Sequence, residues 1–195
     1  MALVRLGSPA HLGAMITRRT SLLGAMLLAT TLVRADPPAP TPNTEGVHGF
    51  DFEIGEWRVH HRIKRPSGEW YEFDGTCSLR TLMGGAANVE EHIFARPTGT
   101  TYGVAVRAYD AEKKHWSIWW VDSRYMSLMG EPAIGRFENG VGNFYSDYTD
   151  PQGKTVRGRL QWSQITATSA RWEQSQSSDG GKTWEPNWIM TFERK

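Results

Sequence analysis

From Phe50 onward, apolar and polar residues alternate in short runs, and turn residues interrupt the runs at roughly 8–12-residue intervals. Trp57, Val59, His61 and Ile63 share one face of the first run, and Arg58, His60, Arg62 and Lys64 share the other. Pro66-Ser67-Gly68 turns the chain into a second run, Trp70 to Leu82, and Met83-Gly84-Gly85 into a third, Asn88 to Arg96. After Pro97-Thr98-Gly99, Tyr102, Val104, Val106 and Ala108 lie in phase. Asp110 to Lys114 leads into His115 to Asp122, where Trp116, Ile118 and Trp120 lie in phase. Ser123 to Pro132 is looser and is the best candidate for a functional loop. Ile134 to Glu138 and Val141 to Tyr148 flank the hairpin turn Asn139-Gly140. Beyond Asp150-Pro-Gln-Gly153, Val156, Leu160 and Trp162 alternate with Arg157, Arg159 and Gln161, and Thr168 to Gln176 and Trp184 to Glu193 complete the chain.

This pattern predicts an all-β fold of about ten strands. Short hairpin turns dominate, and there is no room for crossover helices. The expectation is a single antiparallel meander β-barrel over residues 50–195, since closure removes the exposed edges. An open two-sheet sandwich is the alternative, but no long Greek-key connection is visible. Nothing in this stretch has the 3.6-residue period of a long helix.

Residues 1–35 read differently. Arg18-Arg19 precedes an apolar run ending at Val33, and Val33-Arg34-Ala35 offers a cleavage site. The pattern resembles a twin-arginine export signal, with Ser21 where that signal usually has Phe; Met1 and Met15 are alternative starts. The run is too short to span a bilayer, so the mature chain is expected to be periplasmic or secreted and not membrane-spanning. Residues 36–49 read as a Pro-rich linker. The leader holds four basic and no acidic residues, so the remainder carries 18 basic against 21 acidic residues, a net charge of −3. That balance, without Lys/Arg runs, gives no reason to bind nucleic acid. Cys77 is the only cysteine, which rules out an internal disulfide. Its phase with Tyr71, Phe73 and Leu79 suggests a buried thiol.

Gly55-Glu56-Trp57 at the head of the first strand resembles the Gly-x-Trp mark of lipocalins and related calycin barrels. That resemblance implies that Trp57 packs across the barrel floor with Arg194 stacked on it. A more extensive resemblance, over Phe50 to Arg194, is to the DUF1579-like proteins, a bacterial group of unassigned function. It is carried by Phe50-Asp51-Phe52, Gly55-Glu56-Trp57, Trp116 to Asp122 and the C-terminal block, and implies a lipocalin-like barrel with no established active site. Ser177 to Trp184 fits the Asp-box pattern of sialidase propellers. A single copy excludes a propeller, so Asp179, Gly180, Gly181 and Trp184 are expected to staple a rigid hairpin. Nitrobindin-type haem barrels extend Gly-x-Trp with further glycines. Here Arg58 to His61 follow instead, and no His occurs after His115, so no haem or other cofactor is expected.

The candidate chemistry is polar residues set on apolar faces. No motif marks a catalytic residue. His60 and His61 are adjacent and point to opposite faces, so no metal site is expected of them; His61, Glu91 and His92 are a conceivable cross-strand set. The candidate ligand-binding residues are His61, Glu91, Trp116, Trp120, Arg124, Tyr145, Arg171, Glu173 and Trp188, near the Ser123–Pro132 loop. Arg171 and Glu173 share a face and can pair. The nine Trp residues suit an amphipathic or aromatic ligand, although aromatics are first of all core formers. The leading expectation is an exported small-molecule-binding barrel whose ligand identity and oligomeric state are open. A small-molecule isomerase, cyclase or lyase with a Glu or His base is the alternative, and a ligand-free structural or envelope-interaction barrel is the third.

Overall fold

Ten antiparallel strands wind in sequence order around one axis, and the last pairs with the first. The computed structural model describes residues 42–126, 130–150 and 152–195. The strands are β1 (Gly55–Lys64), β2 (Trp70–Leu82), β3 (Ala87–Arg96), β4 (Gly99–Asp110) and β5 (His115–Asp122). They continue as β6 (Ala133–Glu138), β7 (Val141–Thr149), β8 (Thr155–Ser163), β9 (Ser169–Ser177) and β10 (Glu185–Arg194). The meander barrel expected from the turn spacing is therefore present, and the sandwich is not. The export signal over residues 1–35 lies outside the described residues, as does residues 36–41 of the linker.

The described end of that linker is folded. Thr44 is buried, Gly46–His48 and Asp51–Glu53 form 3-10 turns, and the Trp116 indole donates to the Gly46 carbonyl at 2.9 Å. These turns plug one end of the barrel. Phe50 packs edge-on to Trp116 and Phe137, each at 5.1 Å between centroids. Phe52, Phe144, Trp162 and Phe192 complete an aromatic core concentrated at this floor.

Closure depends on the β1–β10 seam, which pairs Trp57 with Arg194 and continues to Ile63 with Trp188. The Arg194 guanidinium lies 4.2 Å above the Trp57 ring, the pair to which the Gly-x-Trp resemblance points. The same guanidinium donates to the carbonyls of Phe52, Ile54 and Ala167, while the Trp57 indole donates to the Glu53 carbonyl at 2.7 Å. Two side chains thus tie the 3-10 plug, the first strand and the β8–β9 connection to one point.

At the opposite end, the β9–β10 turn is held as the Asp-box pattern implies. The Asp179 carboxylate accepts from the Lys182 and Thr183 amides, each at 3.0 Å, and from the Thr183 hydroxyl at 2.7 Å. Gly180 and Gly181 take φ of +76° and +92°, values that strain any other residue. Trp184 lies outside the barrel, against Tyr145 and over the Arg159 guanidinium. A register shift between Pro186 and Trp188 resets the in–out phase of β10, so Trp188 points inward while Trp184 does not.

Arg194→Ala (R194A) is expected to lower stability by about 2 kcal/mol, from three lost hydrogen bonds and one cation–π contact. Arg194→Lys should recover little, because one ammonium nitrogen cannot span three carbonyls that three separate guanidinium nitrogens reach. Urea denaturation midpoints check this; an unchanged R194A midpoint would show that the seam closes without the clamp.

Candidate functional site

The barrel interior is not packed throughout. Above the aromatic floor lies a cavity of about 150 Å³, walled by Ala105, Ile118, Trp120, Leu160, Trp162, Trp172, Trp188 and Met190, with Glu90, His92, Arg107 and Gln174 supplying its polar groups. β3, β4 and β5 make one wall; β8, β9 and β10 make the other. Trp120 is 38% exposed and lies above the point where the β5–β6 ladder stops, since that ladder pairs only Trp116 to Ile118. The indole fits there because Gly103 faces it: a Cβ at Gly103 would come within 2.3 Å of the Trp120 ring.

The polar groups form one buried cluster. The Arg107 guanidinium bonds Glu53 Oε2 at 2.7 Å and pairs with Glu90 Oε2. Glu90 Oε1 meets His92 Nε2, and the Cys77 thiol lies 3.3 Å from that oxygen. All five residues are at most 3% exposed. Burial raises the Glu53 carboxyl above its usual range, although Arg107 and His92 oppose it. Burial also pushes the His92 imidazole down to about 4, against a smaller opposing pull from Glu53, and holds the Cys77 thiol well up, reinforced by Glu53. Removing Arg107 would strand two carboxylates in a low-dielectric interior, and breaking such a buried pair typically costs about 3–5 kcal/mol.

The residues expected from the sequence separate into three places. Trp120 and Trp188 line the cavity. His61 stands just behind Trp188, accepting a hydrogen bond from its indole at 3.3 Å and stacking on Phe73 at 4.7 Å. Trp116 is in the floor core. Arg124 sits at the rim, bonded to Asp122 at 2.7 Å. Glu91, Tyr145, Arg171 and Glu173 are on the outer surface of the barrel, away from the cavity. Glu91 is exposed because the inward face of β3 is Asn88, Glu90, His92, Phe94 and Arg96; Val89 and Ile93, beside which Glu91 sits, face outward. The set His61, Glu91 and His92 is therefore not assembled. Arg171 and Glu173 do pair, at 2.6 Å, but on the outer face with Arg159 and Ser175. Burial there tends to raise the Glu173 carboxyl, yet hydrogen bonds from Ser175 and Arg171 hold it low.

Sequence reasoning overlooked Glu53, Glu90, Arg107, Trp172 and Gln174 as a site. β4 was the deceptive strand: Tyr102, Val104 and Val106 face outward, while Gly103, Ala105 and Arg107 face inward. The usable signal was size, since a strand facing a bulky indole needs small residues opposite it.

Residues 48–194 match the family described as "Protein of unknown function (DUF1579)". The chain belongs to the DUF1579 family. No curated protein matches it. Among solved structures, this DUF1579 barrel is similar to Rv2717c from M. tuberculosis, with a TM-score of 0.53 at 8% identity, covering 76% of this chain and 96% of that one. It is also similar to the S-type phycobiliprotein lyase CPES from Guillardia theta, with a TM-score of 0.52 at 11% identity, covering 77% and 93%. Such low identities establish a shared fold alone.

Burial lowers the His61 imidazole to about 2 from an ordinary 6.5, reinforced by His92 and Arg96. The folded barrel therefore refuses a proton that the unfolded chain accepts. The contribution is present above pH 6.5 and is lost as pH falls towards 2, at up to about 1.4 kcal/mol per pH unit. Urea midpoints measured from pH 7 down to pH 4 should fall, and His61→Phe (H61F) should flatten the slope. Parallel profiles for parent and variant would show that His61 carries none of it.

Proposed function

We propose that this DUF1579 barrel binds a compact, partly aromatic small molecule in its interior cavity. The observation that carries the reading is the cavity's composition: four indoles, from Trp120, Trp162, Trp172 and Trp188, with Glu90, His92, Arg107 and Gln174 as polar contacts. A cavity of about 150 Å³ departs from the close packing usual in protein interiors. A barrel serving only as a scaffold has no use for such a space, and a side chain larger than that of Ala105 would reduce it. A space of this size holds about one aromatic ring, and the exposed edge of Trp120 provides a way in. The phycobiliprotein lyase named above supports the barrel scaffold and nothing about the ligand.

Calorimetric titration with indole as the probe tests the reading. Saturable binding to the parent is expected, with at least a tenfold loss in Ala105→Leu (A105L), whose side chain grows into the cavity. Equal binding by both proteins, or none by the parent, contradicts it. Glu90 and His92 beside Arg107 also favour a second reading, acid–base catalysis on the bound molecule. Recovery of a chemically altered molecule after incubation would move the assignment from binding to catalysis.

The same proposal puts the mature chain in the periplasm or outside the cell, exported by the twin-arginine pattern around Arg18-Arg19 and cleaved after Ala35. N-terminal sequencing of protein from the periplasmic fraction should then begin at Asp36. A chain that retains residues 1–35, or that stays in the cytoplasm, contradicts this.

A further inference from the structure

Cys77, Glu90 and His92 meet at the buried end of the cavity, and strand register explains why. Cys77 and His92 are direct partners across the β2–β3 ladder. Glu90 lies two residues before His92 and so shares its inward face. One sulfur, one carboxylate oxygen and one imidazole nitrogen from these three lie within 4.8 Å of one another. Cys77 Sγ is 3.3 Å from Glu90 Oε1, and His92 Nε2 contacts that same oxygen. Glu53 brings a fourth donor from the floor, its Oε1 4.0 Å from the sulfur.

Arg107 sorts the carboxylate oxygens. It binds Oε2 of Glu53 and Oε2 of Glu90, which leaves the Oε1 of each turned towards Cys77. We propose that Cys77, Glu90 and His92, with Glu53 as fourth donor, form a zinc-type divalent metal site, and that Arg107 holds its carboxylates in place. With metal–ligand bonds of about 2.0–2.3 Å, donors at the corners of a tetrahedron sit about 3.3–3.8 Å apart. The sulfur–oxygen separations of 3.3 and 4.0 Å bracket that spacing, whereas His92 Nε2 and Glu90 Oε1 are in direct contact and must part to admit the ion. One sulfur and one imidazole with carboxylates suit zinc or cobalt, whereas calcium and magnesium take oxygen ligands.

Charge is compatible with the site. Two ionised carboxylates and one guanidinium leave the cluster one negative charge in excess, which either a proton or a bound cation offsets. A divalent ion with a Cys77 thiolate brings the sum to zero. The proton released from the thiol on binding goes to solvent, so uptake should strengthen as pH rises. Glu90 and His92 also line the cavity, so the ion would lie within reach of a bound molecule. The proposal nevertheless stands whether or not indole binds.

Cobalt substitution tests it directly. The full chain, expressed without a histidine tag and stripped by a chelator, is titrated with Co²⁺. The expected result is about one ion per chain with a thiolate-to-cobalt charge-transfer band, which added Zn²⁺ abolishes. Cys77→Ser (C77S) should lose the band and bind at least about tenfold more weakly, and His92→Gln (H92Q) should weaken binding while keeping the band. Circular dichroism reports whether each variant is folded; should both unfold, the band in the parent decides. A folded parent that takes up Co²⁺ without a thiolate band, or takes up none, overturns the site. So does a folded C77S that binds as tightly as the parent.

Discussion

The Arg194 guanidinium stacked on Trp57 is the contact on which the rest of the barrel depends. Trp57 and Arg194 face each other across the seam that closes the sheet. Arg194 also gathers carbonyls from Phe52 and Ile54, and Trp57 holds the carbonyl of Glu53. The Asp51–Glu53 turn is therefore fixed at the floor end of the barrel as a plug, with Phe50 and Phe52 seated in the floor core. The same tie delivers the Glu53 side chain inward to Arg107. Seam, floor and buried ion cluster are one connected construction.

That cluster gives the interior its character. An apolar core of equal volume would usually be at least as stable as a buried ion pair, yet β3 and β4 turn Glu90, His92 and Arg107 inward and Val89, Ile93, Val104 and Val106 outward. The wall they form faces Trp172, Trp188 and Met190 across the cavity. Polar groups that are fully desolvated, and apolar side chains that line a cavity instead of packing against one another, both run against maximal stability. Their coincidence in one place is the physical basis for assigning function to this cavity and not to the outer surface.

Much of the architecture was legible in the sequence, and the reasons are local. Turn pairs such as Asn139-Gly140 and the Ser177–Trp184 hairpin encode their own geometry. Alternation in β1, β5 and β8 has one clearly apolar face, so the inward side follows. The site was less legible because β3 and β4 present mixed residues on both faces, and apolar content alone picks the wrong one. Apolar periodicity therefore favours Glu91, which lies in phase with Val89 and Ile93, over Glu90. Trp184 and Trp188 are in phase by simple alternation, and the register shift beside Asn187 is what turns Trp188 inward and leaves Trp184 outside. Glu53 could not be placed at all from strand patterns, because it belongs to the plug that precedes the first strand.

The central claim is that the space beneath Trp120 is a binding site and not a packing defect. Native mass spectrometry of the protein isolated from the organism that makes it tests this most directly. A binding site predicts a population heavier than the polypeptide by the mass of one small molecule, released on unfolding and identifiable as an aromatic or partly apolar compound. A single population at the polypeptide mass, once any metal is allowed for, would contradict it.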